Sequence, residues 1–375
     1  RSSDLNFALA SAIFILGISI SSCQKAEPAA DNSQTVPNTP QEIEISANHQ
    51  HTHYIKTDNT LWGTGENERG QLGDGTDSLR YAPVKITNNV KQVSSGSYFT
   101  LIIKTDNSLW ATGYNAYGQF GNGTYTSSNT PVKIMDNVKQ VSAGVHHSVI
   151  LKTDNSVWTT GYNWLGQTGD GTNLKRNTPL KIMDDVRYIS AGLTHTLIVK
   201  MDNSLWGMGQ NTSGALGDGT NTNRNTPVKI MDSVLKAFGG EFISFIIKTD
   251  NSLWAMGENG VGGLGDGTNI NRKIPVKIMQ NVRDVSVKGH SLIVKTDNSL
   301  WVTGFNDHWQ LGDGTRVNCY IPKKIMDNVK KVATGANYSF VLKTDNTFWG
   351  FGWGYRGLLG ISENAYTTPT LLSLP

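Results

Sequence analysis

The sequence is poor in charge, in cysteine and in long apolar runs. Charged residues make up 17% of its 375 residues and leave a net charge of +3, too weak and too dispersed for a nucleic-acid surface. The two cysteines, Cys23 and Cys319, are far apart and show neither CxxC nor Cys/His ligand spacing. A disulfide framework and a zinc site are therefore not expected, and Cys319 reads as a lone loop thiol. The longest apolar stretch, Ala8–Ile20, is too short to span a bilayer comfortably. Helix formers do not dominate. Val, Ile, Thr, Tyr and Trp recur instead in short runs between Gly, Asn and Asp, and Gly (40) and Trp (10) are abundant. This is the texture of an all-β chain.

The first 41 residues differ from the rest. Ala8–Ile20 has the length of a signal-peptide core and runs into Ile20-Ser21-Ser22-Cys23. That tetrapeptide resembles a bacterial lipobox, in which the Cys is lipidated and becomes the mature N-terminus. Gln24–Gln41 is rich in Pro, Ala, Asn and Glu and reads as a flexible tether. The expected organisation is a signal peptide over 1–22, lipidated Cys23 and linker over 23–41, and a folded domain over 42–375. The n-region is thin, with Arg1 as its single positive charge, and an opening Arg suggests that the true start is missing. Such a chain is exported to the bacterial envelope, outer membrane or cell surface, and held by acyl chains on a membrane it does not cross.

The folded part is a repeat. Trp62, Trp110, Trp158, Trp206, Trp254, Trp301 and Trp349 are spaced 48, 48, 48, 48, 47 and 48 residues apart, giving seven units. In the third unit four strands are expected: Val138–Gly144, His147–Thr153, Ser156–Gly161 and Thr178–Ile182. The Asp154-Asn155 pair, kept in all seven units, predicts a two-residue type I′ hairpin between the second and third strands. The repeated Trp falls in the middle of the third strand, where its ring can fill the space between neighbouring sheets. A four-stranded sheet has two apolar faces and cannot bury both alone, whereas seven arranged radially bury one another as a β-propeller. A solenoid would need polar capping repeats. The array begins with a first-strand piece, Glu42–Ser46, and ends with a fourth-strand piece, Thr368–Pro375. Those ends predict a ring closed by pairing N-terminal strands with the C-terminal strand.

What recurs in register is Gly-x-Asn-x-x-Gly-Gln-Leu-Gly (Gly65–Gly73, Gly113–Gly121), preceded by Leu-Trp-x-x-Gly and by Ala-Gly-x-x-His-Ser (Ala143–Ser148). The pattern resembles the RCC1 (regulator of chromosome condensation) repeat family of seven-bladed propellers, over residues 42–375. It departs from the motif at Trp309, which replaces a Gly, and at Gly354, in the Asn position. The resemblance implies four strands per blade. It offers guanine nucleotide exchange on a small GTPase as one activity, though no exchange residue can be matched to a position here. The fold is also similar to that of beta-lactamase inhibitory protein II, which binds its enzyme through one aromatic-rich face.

Repetition separates framework from site. The motifs repeated along the chain (Lys-Thr-Asp-Asn, the Trp, Gly-Asp-Gly-Thr) read as framework that serves the blades. The Gly-rich loop lacks the βαβ context and the Lys-Ser/Thr end of a phosphate loop. Gly-Asp-Gly-Thr offers one carboxylate where calcium takes six to eight oxygens. His51, His147, His195 and His290 alternate at one repeat position with Phe99, Ile243 and Tyr338, which reads as packing more than as a metal ring.

A specific site needs positions that differ between units. These fall in the long loop between the third and fourth strands, where Asn and Gly anchors bracket a few free residues. The candidate binding residues there are Arg69, Tyr114, Tyr117, Tyr162, Trp164, Phe305, His308, Trp309, Trp353, Tyr355 and Arg356. Rigid aromatics with Arg are what binding hot spots use; packing against the next blade is the competing reading. Units four and five carry small residues instead, which a packing role common to all blades does not explain. The expectation is a non-enzymatic, monomeric platform for a protein or a glycan, with no metal, cofactor or nucleic acid. Nucleotide exchange is one alternative. The other is an enzyme in the channel mouth, which would gain if Glu241 or Asp307 proved buried with a perturbed pKa.

Overall fold

The third unit folds almost where its pattern places it. Its strands are Val138–Ala143, His147–Lys152, Val157–Gly161 and Arg176–Met183, joined antiparallel in chain order. The protein is seen here in a computed structural model that describes residues 43–360 and 365–373. Seven such four-stranded sheets follow one another, over residues 44–87, 90–135, 138–183, 186–231, 234–279, 282–326 and 329–372. They are called blades 1 to 7. Segments expected as signal and linker, with Cys23, lie outside the described residues.

Burial follows strand order. The second strand is buried along nearly its whole length (His147–Lys152), because neighbouring sheets cover both of its faces. The fourth is half exposed and carries Pro179, tolerated on an outer edge where no ladder hydrogen bond is needed. Between blades the apolar side chains interdigitate: Ile103 and Leu109 of blade 2 pack with Val138 and Ile150 of blade 3, and the half-buried Trp158 lies against that cluster. The Trp ring thus fills an inter-blade space, as expected, and its Nε1 donates to Ser156 Oγ at 2.9 Å. First strands meet one another around the axis. Ser94 Oγ accepts from the Ala143 amide at 3.0 Å and Ser142 Oγ from the Ala191 amide at 2.8 Å.

Three expectations are corrected. The Asp-Asn turn is not type I′, which needs positive φ at both central residues. Only the Asn is left-handed, Asn155 at φ 64°. The Asn155 amide donates to Lys152 O at 3.0 Å and the Lys152 amide to Ser156 O at 2.9 Å, so the loop is Thr153-Asp154-Asn155. Asp154 Oδ1 fixes it by accepting from the amide and hydroxyl of Ser156, at 2.9 and 2.6 Å. Ring closure, second, uses no strand exchange. Glu44–Ala47 pairs with His51–Ile55 of its own blade, and Ala365–Leu372 completes blade 7. Blades 1 and 7 join through side chains: the Tyr338 hydroxyl donates to Asn48 O at 2.7 Å, and Thr64 Oγ1 donates to Gly357 O at 2.9 Å. Both ends of the array bring complete sets of four strands, so no strand is left over to trade. Third, Cys319 is half-buried and unpaired, but it opens the fourth strand of blade 6, Cys319–Met326.

Candidate functional site: an aromatic crescent on the loop face

The loops after the first and third strands of every blade emerge on one face, as antiparallel order requires. In blades 1 to 6 the long loop is held in the bracket its anchors suggested. Asn163 Nδ2 donates to Asp170 Oδ1 at 2.9 Å and to Thr172 O at 3.0 Å, while its Oδ1 accepts from the Thr168 amide at 2.9 Å. Asp170 in turn binds the Thr172 amide and hydroxyl and pairs with Arg176. The loop then presses on the next blade. At Gly118 (φ +79°) a Cβ would lie 2.5 Å from the Asn177 Cα, so only glycine suits that approach. The framework is rigid and its free side chains are carried on it.

Those side chains gather across blades. In blade 6, Phe305 meets His308 (ring centroids 6.2 Å apart), and His308 meets Trp353 of blade 7 at 5.0 Å. Trp353 stacks on Tyr355 at 4.9 Å and 15°. Arg356 follows, its guanidinium 5.4 Å from the Tyr355 ring, and pairs with Glu66 of blade 1. Arg69 lies over Tyr114 of blade 2 at 5.6 Å, and Tyr114 meets Tyr117 at 5.9 Å. Tyr117 touches Tyr162 of blade 3 at 5.2 Å, and Tyr162 touches Trp164 at 5.2 Å. The result is a crescent over blades 6, 7, 1, 2 and 3, running across the ring junction. Trp164 is 64% exposed and Tyr355 41%; the other rings are half-buried.

At the centre of the crescent the surface dips. One cavity of about 470 Å³ is lined by Gln50, Glu66, Glu68, Arg69, Gln71 and Arg356, with walls from Tyr98, Tyr114, Tyr117 and His146. A second of about 360 Å³ shares Gln50, Glu66 and Arg356 and adds Trp353 and Tyr355. Glu66 is buried and paired to Arg356, as a buried carboxylate requires.

Ten of the eleven candidate binding residues join this surface. Trp309 does not: no ring contact among the described residues ties it to the crescent, and it sits instead under the Arg316 guanidinium at 4.4 Å. Trp309 and Arg356 are left-handed at φ 59° and 55°, whereas the other non-glycine residues with positive φ are Asn, Asp and Ser. Sequence reasoning missed Tyr98 and His146, at the tip of the loop between the first and second strands. His146 lies 4.7 Å from Tyr117, and Tyr98 stacks on His146 at 6.1 Å. The signal was present. That position reads Gln50, Tyr98, His146, Thr194, Phe242, Gly289 and Asn337 across the seven blades, as variable as the long loop. The two loops are tied directly, the Tyr114 amide donating to Tyr98 O and the Tyr162 amide to His146 O, both at 2.8 Å.

The repeated histidines hold blades together. Nε2 of His147 lies 3.1 Å from Thr196 Oγ1, and that of His195 lies 2.9 Å from Ser244 Oγ. Burial holds His147 down at about 3 and His195 at about 4, so both rings are neutral. Nearer the axis, His49 Nε2 of blade 1 lies 3.6 Å from Glu241 Oε1 of blade 5. Burial raises the Glu241 carboxyl, and burial lowers the nearby Lys288 ammonium. Asp307 is exposed.

No curated protein matches this chain in sequence. Among solved structures, Prp20p from Saccharomyces cerevisiae, described with its binding properties to Gsp1p and histones, superposes with a TM-score of 0.75 at 19% identity, covering 86% of this chain and 88% of its own. The structure of Kap60 bound to yeast RCC1 (Prp20) gives 0.76 at 18%, covering 96% and 91%. Human WBSCR16 gives 0.72 at 24%, covering 81% and 87%. At these identities the likeness is one of fold. The Regulator of chromosome condensation (RCC1) repeat matches residues 58–103, 106–151, 202–247 and 297–342 in one form and 90–119 and 138–167 in another. Together these cover more than half of the sequence, and the chain belongs to the RCC1 repeat family.

Proposed function

We propose that this protein is a non-enzymatic binding platform, tethered to the bacterial envelope through Cys23, whose aromatic crescent takes a protein or glycan partner. The observation that supports the reading is the gathering of rings from blades 6, 7, 2 and 3 on either side of Arg69 and Glu66 of blade 1 and their absence from blades 4 and 5, where the loops carry Gln210, Thr212 and Ser213, then Glu258, Gly260 and Val261. Rings needed only for blade packing would recur in every blade. Exposed aromatics on a rigid frame give contact area at low ordering cost. The left-handed Arg356 points the same way, since strained backbone gathers at functional sites.

Affinity capture tests it. The immobilised chain is exposed to envelope and secreted extract, beside a Trp164→Ala/Trp353→Ala variant of unchanged melting temperature. A ligand held by the first and lost from the second is the expected result; equal retention makes the rings structural.

Nucleotide exchange, suggested by the family name, is a competing reading. Recovery of unlipidated chain with cytosol would favour it. The His49–Glu241–Lys288 group supports an enzyme reading, since a carboxyl and an amine displaced from their usual ranges near one imidazole can exchange protons. Turnover abolished by Glu241→Gln would establish that reading in place of the platform.

A further inference from the structure

The single 47-residue spacing, between Trp254 and Trp301, arises in blade 6, where Ser286–Ser291 is one residue shorter than Ser142–Ser148 of blade 3. The loop between the first and second strands is tighter there. The Lys288 amide donates to His290 O, whereas in blade 3 the Gly144 amide reaches His147 O, one residue further on. Beside the short loop a cavity of about 240 Å³ opens between blades 5 and 6, with Phe242, Val261 and Phe305 among its walls. We propose that it receives a tyrosine side chain of a protein partner, presented next to a Lys or Arg. The proposal rests on the platform reading above and names its partner. The cavity continues the crescent, because Phe305 belongs to both.

The chain holds its own template for this site. Gln50, Glu66, Arg69, Gln71, Tyr98 and Tyr114 line the cavity between blades 1 and 2. Phe242, Glu258, Val261, Gly263, Gly289 and Phe305 hold the same repeat positions between blades 5 and 6. Gly289 thus stands where Tyr98 puts its ring. Neither Gly289 nor Gly263 is required by the backbone. Both lack the positive φ of the bracket glycines, the conformation in which glycine is needed. A Cβ on Gly289 would meet nothing nearer than Glu241 Oε2 at 3.9 Å, and one on Gly263 nothing nearer than Ile243 Cδ1 at 3.4 Å. What the two glycines provide is space. In blade 2 an aromatic ring of the chain fills it; in blade 6 a ring from outside can.

Size and chemistry select the ring. The cavity is smaller than the roughly 300–1,000 Å³ of pockets for drug-sized ligands, and hot spots are built by one anchoring side chain in such a pocket. The apolar walls suit an aromatic body. Its polar groups suit a phenol. Glu241 turns Oε1 to His49 and leaves Oε2 towards the space beside Gly289. Lys288 lines the same cavity, and its side chain has no hydrogen bond or ion pair among the described residues. A phenol hydroxyl can donate to the carboxylate and accept from the ammonium, which phenylalanine cannot do. An acidic ligand would meet both Glu241 and Glu258. The basic neighbour follows from Glu258, which is exposed. Its counterpart Glu66 takes the Arg356 guanidinium from the preceding blade, but at the position of Arg356 blade 4 has Ser213. A cation beside the partner's tyrosine gives Glu258 the complement that Arg356 gives Glu66.

The test titrates the full chain in mild detergent by saturation-transfer NMR with blocked dipeptides, acetyl-Tyr-Arg-amide, acetyl-Phe-Arg-amide and acetyl-Tyr-Glu-amide, and with cellobiose. Tyr-Arg is expected to bind at least about tenfold more tightly than either other dipeptide. Gly289→Tyr fills the space from within and should abolish binding at an unchanged melting temperature. Lys288→Met should erase the preference for Tyr over Phe. Equal binding of Tyr-Arg and Phe-Arg, binding unchanged in Gly289→Tyr, or cellobiose bound in place of the dipeptides overturns the site. So does the absence of any binding. In each of those cases the platform stands if envelope capture still depends on Trp164 and Trp353; if that dependence is missing too, both fall.

Discussion

The hydroxyl of Tyr338 in blade 7 donates a 2.7 Å hydrogen bond to the carbonyl of Asn48 in blade 1, across 290 residues of chain. It also lies 2.9 Å from Thr52 Oγ1. At the repeat position where blades 1, 3, 4 and 6 use histidine, the last blade reaches back to the first with a tyrosine, and no strand is exchanged.

Tyr338→Phe keeps the ring and removes the bond. It is expected to cost about 1–3 kcal/mol, because the Asn48 carbonyl loses its buried donor. Urea denaturation at neutral pH measures this. An unchanged midpoint would mean that apolar packing alone closes the ring.

Stability should fall in acid. Buried His147 and His290 are held at about 3 and His195 at about 4, all below the unfolded value near 6.5. Below about pH 6.5 the unfolded chain therefore takes up protons first, and each histidine costs up to about 1.4 kcal/mol per pH unit until its folded pKa is reached. Above pH 6.5 the contribution is flat. His147→Phe, which places at this position the residue that blade 2 carries there as Phe99, should flatten the slope between pH 6.5 and 5 by about one proton. Thr196 keeps its bond to Gln167 O, 2.8 Å. Denaturation midpoints at pH 7.5, 6 and 5 decide, and an undiminished slope would assign the acid sensitivity to other groups.

Trp309 is held left-handed at φ 59° where other blades use glycine, a conformation costing roughly 1–2 kcal/mol for an L residue. Trp309→Gly relieves that strain but loses the Arg316 contact, worth about 0.5–1 kcal/mol. The expected result is a melting temperature at or slightly above wild type. A clear drop would show that the ring packs structurally.

Arg356→Met leaves buried Glu66 without its guanidinium. With Arg356 half-exposed, a modest loss of stability is expected, concentrated at the blade 7–blade 1 junction. Hydrogen exchange should show faster opening there than in blades 3 to 5; uniform protection would mean that the pair does not fasten the junction.

The repeat made the blades legible because each is specified within about 48 residues: second strands covered on both faces, a Trp for the gap between sheets, an Asn–Gly bracket for the long loop. The turn was misread because the Asp-Asn pair marks positive φ at one residue and not two, and loop length depends on where Lys152 and Ser156 pair. Candidate residues on the long loop were legible as variation within a constant frame. Tyr98 and His146 were not found, since their roles arise from neighbours in other blades.

By itself the sequence determined the all-β class, seven units, four strands in each, and which residues serve every blade, because those features rest on local periodicity and turn chemistry repeated seven times. Tertiary structure alone decided how the ring closes, that rings from four blades join Arg69 and Glu66 of blade 1 in one crescent, and that two carboxylates and two guanidiniums meet at its centre. These are relations between side chains one or more repeats apart in the chain. Only the radial packing of the sheets brings them within contact distance.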